Sequence, residues 1–143
     1  MLFLGRMTDV GGTVTPIDER AYFYGSSRAT LKMLVRGGAQ APGMTPGVLL
    51  RTGSGISTAL SSTVRLSPDG RAFWGSTVWD NNVTITGPND SGLFGGPFVG
   101  QTLLVQRNDV APGTGGATYT QAFSSLSLVT TGINRQGRIY FQG

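Results

Sequence analysis

The chain has 143 residues, a formal net charge of +4 and only 13% charged residues. Gly fills 23 positions, and one Glu (Glu19) and one Lys (Lys32) are too few for a coiled coil or helical bundle, which draws on Ala, Glu, Lys, Leu and Arg. With no His and no Cys, the chain has no Ser-His-Asp or Cys-His pair, no zinc site of the usual kind, no iron–sulfur cluster and no disulfide.

In chain order, residues 1–28 read as an extended N-terminal arm, with a short strand over 1–7 and an aromatic run, Tyr22-Phe23-Tyr24. Three adjacent aromatics cannot share one face of a strand, so at least one meets a second layer or another chain. Residues 29–143 read as a single β domain. Leu31, Met33 and Val35 alternate with Lys32, Leu34 and Arg36, which predicts a strand ended by Gly37-Gly38. Ala39–Pro46 reads as extended, because Pro42 and Pro46 each bias the preceding residue away from the helical region. Val48–Arg51 reads as a strand and Gly53-Ser54-Gly55 as a turn.

The clearest hairpin spans Ser61–Trp79 around Ser67-Pro68-Asp69-Gly70, with Pro preset for the second turn position and Gly for a left-handed residue. A second reversal is expected at Asp80-Asn81-Asn82, leading into a strand over Val83–Thr86. Gly87–Gly100 reads as a loop, Gln101–Arg107 as a strand and Asn108–Gly116 as a second Gly/Pro loop. Residues 117–131 alternate in part. Asn134–Gly137 reads as a last turn before a strand over Arg138–Gln142. The fold class is therefore all-β, a small β-sandwich or barrel with Gly/Pro-rich loops.

Candidate chemistry is sparse. The seven carboxylates are scattered, and only Asp18 and Glu19 adjoin. Gly53-Ser54-Gly55 and Gly113–Gly116 lack the Lys-Ser/Thr of a phosphate loop. Trp74 and Trp79 are five apart, so a regular strand sends them to opposite faces unless a bulge at Gly75 resets the register. The ten Arg are dispersed rather than clustered, which suits pairing with carboxylates on a protein partner better than a nucleic-acid stripe. The longest apolar runs fall far short of a spanning helix, and Met1–Arg6 has no signal-peptide pattern. The expectation is a protein that is not an enzyme and that binds no cofactor, metal, membrane or nucleic acid.

The segment Ala39-Gln40-Ala41-Pro42-Gly43-Met44-Thr45-Pro46, followed by Val48-Leu49-Leu50, resembles the Ala-x-Ala-Pro-x-Met-Thr-Pro-apolar segment of the lambda-type head decoration proteins of tailed bacteriophages. The resemblance covers about a dozen residues and stops at Leu50. The chain is longer than the compact members of that family, so residues 87–143 are expected either as an elaborated outer lobe or as part of a different fold. It implies a virion structural protein, a capsid decoration or cement protein. Such a protein sits on the outer surface of the major capsid lattice as a homo-oligomer, with a trimer favoured, and stabilises the head. Its partners would be the major capsid protein and itself. The contact residues it suggests are Arg6, Arg20, Tyr22, Tyr24, Arg28, Arg36, Ala41, Pro42, Met44, Thr45 and Pro46. The alternative is a tail or fibre module whose C-terminal β lobe binds a receptor or glycan. A nucleic-acid-binding barrel, suggested by the pI near 10.1, is a third reading.

Overall fold

The computed structural model describes residues 2–7, 20–51, 64–80, 83–86, 89–120, 132–134 and 138–140. Within them the chain forms ten strands and one short 3-10 turn, Arg28–Thr30, so the protein is all-β. The strands are β1 (Leu2–Arg6), β2 (Arg20–Tyr24), β3 (Lys32–Arg36), β4 (Leu49–Leu50) and β5 (Arg65–Leu66), then β6 (Arg71–Trp79), β7 (Ser91–Pro97), β8 (Thr102–Gln106), β9 (Gly132–Ile133) and β10 (Ile139–Tyr140). Among the described residues no helix is long and apolar enough to cross a membrane.

Three antiparallel sheets result: β1-β2-β3, β9-β10, and a larger one ordered β4-β6-β7-β8 with β5 also on β6. The nine-residue β6 is the spine. β5 pairs with its first half through Arg65↔Phe73, and β4 with its last residues through Leu50↔Val78, while β7 runs along the opposite edge. The turn Ser67-Pro68-Asp69-Gly70 joins β5 to β6 as its composition predicts. The Gly70 amide donates to the Ser67 carbonyl, and Gly70 takes a φ of 81°.

The two larger sheets share one core. Tyr22 and Val35 from the small sheet pack with Leu50, Trp74, Val78 and Phe94 from the large one. Trp74 stacks on Phe94 with ring centroids 4.5 Å apart, and Tyr22 tilts against it at 6.5 Å. Its indole Nε1–H donates to Gln101 Oε1 at 2.9 Å, so this fully buried indole keeps a polar partner. The register of β6 on β7 runs unbroken from Arg71 to Thr77, with no bulge at Gly75.

The body claims part of the expected arm. Arg20–Tyr24 is the middle strand of the small sheet, and Tyr22 sits in the core, so the arm reading does not hold for these residues. Burying the ring outweighs leaving it on an arm for another chain. Leu2–Arg6 pairs with Arg20–Tyr24 along one edge, and residues 1 and 8–19 lie outside the described residues.

The expected loop over Gly87–Gly100 is also corrected. Ser91–Pro97 is an inner strand, paired on both edges, and residues 91–95 are buried. Its glycines make room for neighbours. A Cβ on Gly95 would lie 2.4 Å from the Phe73 ring and 2.8 Å from Leu104 Cδ1, and one on Gly92 would lie 2.7 Å from Leu103 Cδ1. Here Gly marks the close approach of side chains rather than a turn.

The strand expected over Val83–Thr86 is absent. The Asp80 carboxylate gathers its amides, accepting from Val83 N at 3.0 Å, Thr84 N at 2.6 Å and Ile85 N at 3.0 Å. Those donors are lost to a ladder, and the segment bends around the carboxylate. Asn81 and Asn82 lie outside the described residues, as do Gly53-Ser54-Gly55, most of 117–131, the tip of the last turn and residues 141–143. The strands flanking that last turn pair through Ile139↔Ile133.

Two register shifts place an extra residue in an outer strand. Leu34 of β3 is unmatched between Tyr22↔Val35 and Phe23↔Met33. Leu104 of β8 is unmatched between Leu93↔Val105 and Phe94↔Leu103.

Candidate docking surface

The segment Ala39–Pro46 is not extended. It folds as two consecutive Pro-Gly turns. The Met44 amide donates to the Ala41 carbonyl at 3.2 Å across Pro42-Gly43, and the Val48 amide donates to the Thr45 carbonyl at 3.1 Å across Pro46-Gly47. Gly43 and Gly47 take φ of 74° and 95°, the left-handed third position of a type II turn. Each proline does set the residue before it, but the glycine after it reverses the chain.

Gln40 closes this loop from within. Its Nε2 reaches the carbonyls of Ala41, Met44 and Thr45 at 3.0–3.3 Å, and its Oε1 accepts from Gly47 N at 2.9 Å. Ala41 and Val48 are buried in the core, and Met44 packs against it. Gly43 lies against β8, where a Cβ would meet Thr102 Oγ1 at 2.6 Å and Leu103 N at 2.9 Å. The loop is therefore held at its base, through its middle and from within. Thr45 and Pro46 are left at its exposed end.

The other expected contact residues separate by burial. Tyr22 and Ala41 are buried in the core rather than presented at the surface, which corrects the expectation that they form contact surface. Burial also pushes the Tyr22 phenol well above its ordinary pKa. Arg20, Tyr24, Arg36, Pro42 and Met44 are half-buried. Tyr24 stacks on Phe98 with centroids 4.1 Å apart, which ties β2 to the chain after β7. Arg6 stands opposite Arg20 in the β1–β2 register. Arg28 and Lys32 are exposed and form no ion pair among the described residues. Among the ten whose exposure is described, Arg28, Thr45 and Pro46 are presented outward.

A second loop repeats the chemistry of the first. Ala111-Pro112-Gly113-Thr114 forms a third Pro-Gly turn, with the Thr114 amide donating to the Ala111 carbonyl at 3.3 Å and Gly113 at φ 77°. It caps a hairpin over 108–119 closed by Asn108 N to Tyr119 O at 2.8 Å and Ala111 N to Ala117 O at 2.8 Å. Arg107 holds the base, donating from Nε to Thr120 O at 2.8 Å and pairing through Nη1 with Asp90 at 3.2 Å.

Between this hairpin and the sheet lies a groove of about 490 Å³. The strands contribute Leu93, Leu104 and Val105, and the hairpin contributes Val110, Pro112 and Tyr119. Asp109 is the charged member of the lining, and its Oδ2 accepts from Gln106 N at 2.6 Å. Sequence reasoning singled out neither Gln40 nor this groove. The Pro-Gly pairs were the signal for the first, and the chance apposition of distant apolar residues left none for the second.

Comparison with protein-family models, curated proteins and solved structures found no match.

Among the described residues no three His, Cys, Asp or Glu gather as a metal site. The Asp80 cluster is a cap on backbone donors. Desolvation would raise its carboxyl pKa, but hydrogen bonds from the Thr84 hydroxyl and the amides of Ile85, Thr84 and Val83 outweigh it and hold it below the ordinary value. The arrangement as a whole offers shaped surface: a rigid exposed turn at Thr45-Pro46, cations at Arg28 and Lys32, and an apolar groove.

Proposed function

We propose that this protein is a virion structural protein of the decoration or cement kind, which binds the outer surface of a major capsid lattice as a homo-oligomer and stabilises the head. The observation that carries the reading is the Ala39–Pro46 segment. It resembles the decoration-protein segment in sequence, and it is built as a braced turn that offers Thr45 and Pro46 outward. A docking element that is already ordered loses little conformational entropy on binding. Many copies on a lattice then add weak contacts into a strong hold. Arg28, exposed and outside any ion pair among the described residues, suits bidentate pairing with carboxylates on the coat.

The test is copy number in purified source particles, read as band intensity against the major coat protein. A ratio near one to one, or a simple fraction of it, is expected. A few copies per particle would instead assign the chain to a tail or fibre. Absence from particles would overturn both virion readings.

A further inference from the structure

The molecule carries two exposed apolar patches of complementary charge. At the start of β3, Leu31 just before the strand and Met33 within it are 39% and 51% exposed and flank Lys32, the single lysine of the chain. At the groove, Leu104 and Val110 are 45% and 61% exposed, and Asp109 is the charged residue of the lining. Among the described residues Lys32 has no ion-pair partner, and Asp109, one oxygen of which accepts from Gln106 N, has none either. The patches do not serve each other within one chain. Leu93, in the groove, and Phe94, in the core shared with β2 and β3, are neighbours on β7 and so point to opposite faces.

We propose that the β3 edge of one copy seats in the groove of a second copy, with Lys32 on Asp109. Leu31 leads into the strand in extended backbone, and within the strand Lys32 points away from Met33. A strand entering edge-on lays the two apolar side chains against Leu104 and Val110 and carries the ammonium to the carboxylate. The contact uses side chains rather than a continued ladder, since Lys32 and the Leu34 bulge blunt that edge for pairing. Each copy offers one of each surface, so the contact repeats head to tail, closing into a ring where the rotation permits and extending where it does not. The inference rests on the homo-oligomeric part of the reading above and not on the capsid.

The test is sedimentation of the purified full-length chain over a wide concentration range, with carbodiimide cross-linking. The reagent activates a carboxylate, the Lys32 amine displaces it as the urea, and an amide bond between copies remains. With one lysine in the chain, the cross-linked peptide is unambiguous. Concentration-dependent association and a Lys32–Asp109 cross-link are expected. Lys32→Asp and Asp109→Lys should each weaken association about tenfold, and the double reversal should restore it. Asp109→Asn keeps an acceptor for Gln106 N while removing the charge, so it should weaken association with the hairpin intact. A monomer at every concentration, association indifferent to both reversals, or cross-links through the N-terminal amine alone would overturn the contact. A chain that associates this way yet is missing from particles keeps the contact and loses the capsid reading. A monomeric chain found on particles does the reverse.

Discussion

Two loops of this protein begin with the same three residues and end differently. Ala41-Pro42-Gly43 and Ala111-Pro112-Gly113 both open a Pro-Gly turn, with nearly equal φ at the glycine. The first loop buries its alanine, lays its glycine against β8 and is braced by Gln40. The second is exposed along most of its length and is held at its base by Arg107. Turn chemistry sets the path of the chain, then, and packing decides whether that path is rigid. A fixed turn suits presentation, and a hairpin anchored at one end suits the wall of a groove.

The sharpest way to break this comparison is at the two glycines. Gly43→Ala forces a Cβ into the left-handed region, at ~1–2 kcal/mol, and presses it on Thr102 and the Leu103 backbone, at ~1–3 kcal/mol more. A loss of about 3 kcal/mol in urea unfolding is expected. Gly113→Ala pays for the conformation alone, because nothing lies within 4 Å of its Cβ, so roughly 1–2 kcal/mol is expected. Equal losses would mean that the contact with β8 contributes nothing. Gln40→Ala removes four hydrogen bonds at an exposed site and should cost about 1 kcal/mol, with faster amide exchange at Gly47.

The smallest effect comes from Asp80, which braces a third bend with a charge where Gln40 uses an amide. Its folded pKa lies below the ordinary 3.8, so its contribution to stability is present above that value and is lost as the pH falls through the folded value. Melting temperatures of the wild type and Asp80→Asn should differ at neutral pH and converge in strong acid. A constant gap would show that the charge is not what the amides hold.

How much of this was legible depends on the residue. Ser67–Gly70 announced its hairpin because Pro and Gly there act locally. Gly92 and Gly95 misled because their cause is distant: Phe73, Leu103 and Leu104 need the space, and a window along β7 contains none of them. Val83–Thr86 misled for a related reason, since its alternation suits a strand but Asp80 reaches its amides first. At the candidate surface, the prolines of Ala39–Pro46 suggested an extended path, and the glycine following each proline specified a turn that the prolines alone did not.

The unmatched residues Leu34 and Leu104 have a consequence for how copies of the chain meet. Flat outer strands would invite amyloid-like stacking at high local density. The bulges twist β3 and β8 out of register with any incoming ladder. Colloidal stability is thereby built into backbone geometry, and the surface side chains remain free to choose which neighbours they accept.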